Sequence, residues 1–143
     1  TVLKFRTMCV AENGSCVVQA KRQDPRVTRI GRILRRTSLD ELPQLINVLM
    51  GDMSIVGPRP HALAHDNAFW RVDCEYSRRF LARPGITGAA QVSGLRGETE
   101  TPEKVHARLL ADLAYIDQWS MASDVRIMIA AAWMVFAKNA DVY

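Results

Sequence analysis

Thr37-Ser38-Leu39-Asp40-Glu41-Leu42-Pro43-Gln44-Leu45 places two adjacent carboxylates at the head of an apolar periodic run, directly after Arg35 and Arg36. Ser38 and Glu41 have the spacing of a capping box, in which the serine hydroxyl accepts from one free amide and the glutamate reaches back to another. At 100° per residue Leu42, Leu45, Ile46 and Leu49 share one face, and the spacing predicts that this face is buried. Asp40 then projects from the opposite side, on the face of Gln44 and Asn47, with Glu41 on the flank. On this reading the leucines hold the helix and Asp40 is presented outward. Acids in a first turn also serve simply to complement the helix dipole, and this stretch alone does not separate the two roles.

The neighbouring segments add charge. From Lys21 to Arg36 the chain is densely basic. After Asp24-Pro25, Arg29, Arg32 and Arg36 follow i, i+3, i+7 spacing, and Ile30, Ile33 and Leu34 supply an apolar side, which predicts a short amphipathic helix. Such an arginine stripe is commonly a solvated face. Running into Asp40-Glu41, it also sets a positive field that favours ionised carboxylates. Gly51-Asp52 is a helix stop, and Ile55-Val56 is a brief apolar piece. In Gly57-Pro58-Arg59-Pro60 the prolines stiffen the backbone on both sides of Arg59. An arginine held this way suits bidentate binding of phosphate or carboxylate; the plainer alternative is a rigid loop with a solvated arginine. Arg83-Pro84-Gly85-Ile86-Thr87-Gly88 is a second arginine-bearing loop, whose glycines permit close backbone approach to a ligand.

Toward the N-terminus, Leu3 and Phe5 alternate with Lys4 and Arg6, the pattern of a half-buried strand. Asn13-Gly14 is a hairpin turn signal, and Val17 and Val18 begin the return strand. Lys4 and Arg6 read equally well as a solvated strand face. Residues 65–81 are predicted helical, with Phe69, Trp70 and Phe80 as packing residues. His61 and His65 at its start lack a third ligand spacing and read as structural or capping groups rather than metal ligands. Thr101-Pro102-Glu103 opens a helix with Val105, Leu109, Leu113 and Ile116 facing the core and an Arg108–Asp112 pair at i, i+4. Ser123-Asp124 caps a last helix. Its residues 127–137 are apolar on every side, too short to span a bilayer but suited to full burial or to a membrane or partner surface.

These elements predict an α+β fold: a mostly helical single domain over residues 1–143 with a small N-terminal β hairpin and interfacial amphipathic helices. The composition, 48% hydrophobic and 24% charged, is that of a globular protein. A net charge of +4 favours anionic partners. The three cysteines, Cys9, Cys16 and Cys74, form no metal-like pairing and read as free thiols. No signal peptide and no run of about 20 apolar residues is present. The first residue is not Met, and a preceding segment is expected. The aromatics do not interleave with the basic stripe, and no finger or heptad pattern accompanies it, which argues against nucleic acid. A non-catalytic basic module for membrane or nucleic acid is the alternative to an enzyme.

Taken in order, Lys4-Phe5-Arg6-Thr7-Met8, Thr37 to Leu45, Gly51-Asp52-Met53-Ser54, Gly57-Pro58-Arg59-Pro60, Arg83 to Gly88, Gln91-Val92, Arg96-Gly97-Glu98-Thr99, Asp112-Leu113, Tyr115-Ile116 and Trp119-Ser120 resemble the bacterial sugar transferases. These are the monotopic polyprenol-phosphate phosphoglycosyl transferases. His61-Ala62-Leu63-Ala64-His65 and the closing Asn139 to Tyr143 look most like the exopolysaccharide-initiating branch, whose members are often glucose- or galactose-phosphate transferases.

The resemblance implies transfer of a sugar-1-phosphate from a UDP-sugar to undecaprenyl phosphate, with release of UMP, at the cytoplasmic face of the bacterial inner membrane. It implies Asp40 as nucleophile, forming a phosphosugar-aspartyl intermediate. Glu41 would help hold Mg²⁺, and Arg35, Arg59 and Arg83 would bind phosphate oxygens. Lys4 and Arg6 lie in a family motif without an assigned role. The chain departs from the pattern at Ala89, where the family usually has Trp, and at Ser93, where it often has Asn. The family's N-terminal re-entrant membrane helix is expected to precede this sequence.

Overall fold

The computed structural model describes residues 1–10, 20, 24–61, 66, 69–70, 73–95 and 101–136. They form the expected α+β fold, mostly helical, with one small sheet.

Helix α1 (Arg29–Thr37) begins at Thr28, whose hydroxyl accepts from the Gly31 amide at 2.9 Å. Arg35 and Arg36 occupy its last turn, where cations complement the dipole. It ends at Ser38, which is left-handed at φ 56° and ψ 15°. The Ser38 side chain makes no capping bond, so the predicted capping box does not form. A serine in this conformation closes the preceding helix instead of opening the next one. Leu39–Glu41 then form one 3₁₀ turn, and α2 (Gln44–Leu49) starts only after Pro43. The stop at Gly51 (φ +82°) is as predicted.

Strands β1 (Ser54–Val56) and β2 (Gly85–Thr87) pair in parallel, with Ser54 opposite Gly85 and Val56 opposite Thr87. Two of the loop glycines serve this pairing. A Cβ on Gly85 would strike the backbone nitrogen of Gly57, and one on Gly88 would strike the carbonyl of Gly57. The bare backbones are what let the two segments meet.

The Pro102–Asp117 helix carries the main core. Thr101 caps it and Pro102 opens it, as the sequence predicts. Val105, Leu109 and Leu113 pack on Phe69 and Tyr76, with Ile116 beside them. A second cluster joins Val56, Tyr115 and Ile127, so the last described helix (Met121–Phe136) is seated over the sheet.

Several sequence expectations need correction. Residues 1–10 form no strand: among the described residues their only bridge is a single antiparallel one from Met8 to Val27, and Leu3 and Phe5 are both exposed. Among the described residues the alternation buries no apolar face. Asn13-Gly14, Val17 and Val18, the rest of the expected hairpin, lie outside the described residues, as do His65 and Cys16. The segment Cys74–Leu81 is 3₁₀ rather than a continuation of an α-helix, and this different period turns Phe80 outward; Trp70 is exposed too. Ile30 and Ile33 of α1 are also exposed.

The last helix starts at Met121, two residues before the expected cap. Ser120 and Ser123 cap each other, each hydroxyl accepting the other's amide at 3.1 Å. Asp124 instead accepts from the Tyr115 hydroxyl at 2.8 Å and the Trp119 indole at 3.2 Å. That helix is not fully buried, since Ile129 and Trp133 face outward. No helix among the described residues is long and apolar enough to cross a membrane.

Candidate active site

The site forms where the N-terminal arm crosses the turn between α1 and α2. The orientation of α2 is the reverse of the expected one. Asp40 is buried at 3% exposure, with Gln44 and Asn47 buried beside it, whereas Leu42 is 49% and Leu49 87% exposed. What this helix packs against explains the reversal. Residues 1–5 lie outside any helix or strand and bring backbone amides and carbonyls with no ladder of their own, which need polar partners once covered. Asn47 accepts from the Leu3 amide and donates to the Thr1 carbonyl, both at 2.8 Å, and the Phe5 amide donates to the Asp40 carbonyl at 2.9 Å. The polar side of α2 therefore turns inward and its leucines turn out.

This arm delivers Lys4 to the carboxylates. Its Nζ lies 2.9 Å from Asp40 Oδ2 and 3.4 Å from Glu41 Oε1. Arg59 grips Glu41 with both terminal nitrogens, Nη2 on Oε1 and Nη1 on Oε2. Burial pushes the Glu41 carboxyl up, but Arg59 and then Lys4 more than offset this, leaving it below its ordinary value. The stiff Pro58-Arg59-Pro60 stem does hold a bidentate arginine; its partner in this structure is a carboxylate.

Behind Arg59 stands a buried network that the sequence did not reveal. Arg79 donates from Nε to Asp112 Oδ2 at 2.9 Å, from Nη1 to the Tyr76 hydroxyl at 2.7 Å and from Nη2 to the Arg59 carbonyl at 2.8 Å. The Tyr76 hydroxyl in turn donates to Asp66 Oδ1 at 2.6 Å. Burial raises the Asp112 carboxyl against the opposing pull of Arg79 and Arg108. Burial and Asp66 together drive the Tyr76 phenol well above its ordinary value. The i, i+4 spacing matches Asp112 with Arg108, and Arg108 does act on the Asp112 carboxyl through its charge. Arg108 also donates to the Leu95 carbonyl at 2.8 Å, and the arginine hydrogen-bonded to Asp112 at 2.9 Å, Arg79, is 33 residues away. No periodicity could signal a pair so distant. His61, read as structural, lies 2.8 Å from the Tyr76 hydroxyl within this network.

The structure thus gathers Lys4, Asp40, Glu41 and Arg59. Arg35, Arg83 and Arg6 are not bonded to either carboxylate among the described residues. Arg35 Nε donates to Thr7 Oγ1 at 2.9 Å. Arg83 is exposed beside Gly51, where an added Cβ would lie 3.9 Å from its Nη1. Arg6 is exposed.

Glu41 and Ser38 also stand at the edge of an open cleft of about 340 Å³, otherwise walled chiefly by Leu42, Leu45, Ile55, Ile86, Met128 and Val135. An anionic centre under two cations therefore borders an apolar surface. Among the described residues no group of three or more metal-ligating side chains occurs. Mg²⁺ does not require one: it takes one or two carboxylates and completes its shell with waters and substrate phosphates. The hard oxygens of Asp40 and Glu41 fit that chemistry, with Lys4 and Arg59 as competitors for Glu41.

A profile of the bacterial sugar transferase family matches residues 1–138, and the chain belongs to that family. It is 58% identical over 128 residues to a UDP-glucose:undecaprenyl-phosphate glucose-1-phosphate transferase of Caulobacter vibrioides, a match covering 90% of this chain and 48% of that protein. An Escherichia coli K12 protein of the same name is 52% identical over 139 residues, 97% of this chain and 30% of its own length. The undecaprenyl-phosphate galactose phosphotransferase of Salmonella typhimurium is 41% identical over 118 residues, 82% of this chain and 23% of that protein. The chain thus spans less than half the length of these three relatives.

Proposed function

We propose that this chain carries the catalytic centre of a phosphoglycosyl transferase. The enzyme moves a hexose-1-phosphate, glucose or galactose, from its UDP-sugar to undecaprenyl phosphate and releases UMP, initiating exopolysaccharide or other surface-glycan assembly. The observation that carries the reading is Lys4 bridging Asp40 and Glu41 while Arg59 holds Glu41, at the margin of an apolar cleft. The names of the relatives supply the donor and acceptor.

In the first step a carboxylate oxygen of Asp40 attacks the β-phosphorus of the donor. The bond to the bridging oxygen breaks, and UMP leaves with that electron pair. In the second step an oxygen of undecaprenyl phosphate attacks the phosphorus of the phosphosugar-aspartyl intermediate. The acyl-phosphate bond breaks, and Asp40 is free again. Splitting one difficult displacement into two is the general advantage of a covalent nucleophile.

Lys4 occupies Asp40 Oδ2 and so orients Oδ1 for attack. Lys4 and Arg59 offset the repulsion between an anionic nucleophile and an anionic target. Arg35 and Arg83, on flanking segments, are assigned to phosphate oxygens of donor or acceptor. Glu41 would hold Mg²⁺, which would supply further charge neutralisation. The cleft walled by Leu42, Leu45 and Met128 receives the isoprenoid of the acceptor. The exposed apolar sides of α2 and the last helix, with the basic α1, support seating on the anionic cytoplasmic face of the inner membrane.

The deciding experiment incubates membrane-reconstituted protein with UDP-glucose or UDP-galactose, undecaprenyl phosphate and Mg²⁺, and measures UMP. The parent is expected to turn over and Asp40→Asn to lose at least a thousandfold. UMP release by Asp40→Asn at the parent rate would remove Asp40 from its role.

A further inference from the structure

We propose that Asn47 is a positioning residue whose carboxamide stands in for a neighbouring strand and so fixes Lys4 between Asp40 and Glu41. In a parallel ladder, one residue accepts from the amide of residue i+1 and donates to the carbonyl of residue i−1 on the facing chain. Asn47 does the same with a side chain. Its Oδ1 takes the Leu3 amide and its Nδ2 gives to the Thr1 carbonyl, each at 2.8 Å, flanking Val2. Among uncharged side chains a carboxamide offers an acceptor and a donor side by side in one plane, and asparagine has it on a short stem.

Asn47 is also completely buried, and its backbone carbonyl accepts from the Asp52 and Met53 amides. The clamp is therefore fixed to the turn that leads into β1. Two residues further along the arm, the Phe5 amide donates to the Asp40 carbonyl at 2.9 Å. Lys4 sits between these two anchored amides, Leu3 and Phe5. Its side chain is 38% exposed and its Nζ contacts both carboxylates, so its placement depends on the arm more than on burial of its own stem.

The test has one arm that needs no turnover. Acylation of lysines by a water-soluble amine reagent, read peptide by peptide by mass spectrometry, reports how far Lys4 is protected by its carboxylates. Asn47→Ala is expected to raise Lys4 labelling several-fold relative to Lys104 in the same protein. Leu3→Pro, which deletes the amide that Asn47 accepts and leaves Asn47 intact, is expected to do the same, and it keeps the test valid where Asn47→Ala fails to fold. Unchanged Lys4 labelling in a folded variant would overturn the proposal.

The second arm rests on the transferase reading. There Asn47→Ala lowers kcat at least tenfold in the parent but adds less than twofold in a Lys4→Met background. An equal loss in both backgrounds would make Asn47 merely structural and would also overturn it. Failure of the transferase reading itself appears separately, as a parent protein that releases no UMP while the labelling result stands.

Discussion

Arg79 Nη2 donates to the carbonyl oxygen of Arg59 at 2.8 Å, so one arginine steadies the backbone of another. The arrangement is tolerable because Asp112 neutralises Arg79 inside the protein, the two side chains being 5% and 2% exposed. Removing that carboxylate leaves a buried cation alone, which typically costs about 3–5 kcal/mol. Asp112→Asn is therefore expected to lower the free energy of unfolding by about that amount in a urea titration. A loss below about 1 kcal/mol would mean that Arg79 finds another anion or water.

Glu41 gives the fold an acid-sensitive element. Its carboxyl lies below the ordinary 4.5 because Arg59 and Lys4 outweigh the effect of burial. A carboxyl depressed in the folded state contributes stability that is present above its unfolded value and is lost as pH falls through its folded value. Thermal midpoints should therefore drop as pH is lowered below about 4.5, and Glu41→Gln should flatten part of that slope. Parallel curves for parent and variant would contradict the assignment.

Ser38 is the one non-glycine with positive φ among the described residues. Its backbone amide closes α1 but its side chain makes no capping bond, so the hydroxyl does not offset the left-handed penalty. Ser38→Gly is expected to raise stability by about 0.5–1 kcal/mol, reduced somewhat by the extra freedom of glycine in the unfolded chain. A lower melting temperature for this variant would show that the hydroxyl has a partner of its own.

Gly85→Ala should do the opposite. The new methyl would meet the backbone of Gly57, which has no side chain to swing away. Overpacking of this kind usually costs about 1–3 kcal/mol. Because β1 and β2 underlie the loop that carries Arg59, UMP release should fall with it. Normal stability in Gly85→Ala would show that the strands separate freely.

Leu49 and Trp133 present largely exposed apolar surface. Leu49→Gln and Trp133→Gln are expected to change unfolding free energy by less than about 0.5 kcal/mol and to weaken sedimentation with anionic vesicles several-fold. Unaltered vesicle binding would move the membrane-facing surface elsewhere.

The fold class, the helix that Thr101 and Pro102 open and the stop at Gly51 could be read from local chemistry, whereas the stiff stem of Arg59 left phosphate and carboxylate partners equally open. The Leu42–Leu49 stripe shows where such reading fails. Periodicity finds an apolar face, but it assumes that the face is covered by the same chain. Here Asn47 and Asp40 are covered instead, because the N-terminal arm, residues 1–5, needs hydrogen-bond partners there. Lys4 was likewise visible only as one cation of an alternating pair, and Arg79 reaches Asp112 across 33 residues. The capping pattern at Ser38 and Glu41 matched in spacing and failed in backbone geometry, which spacing does not encode.

The reversed seating of α2 carries over to how this segment tolerates change. In most amphipathic helices the oily positions are the sensitive ones and the polar positions vary freely. In a saturation screen scored on folding alone, Leu42, Leu45, Ile46 and Leu49 should accept nearly everything, whereas Gln44 and Asn47 accept almost nothing. Scored at a lipid surface, the leucines should become selective as well. The same short segment, Leu42 to Leu49, would thus yield two different maps of tolerance, one written by the protein's interior and one by its surroundings.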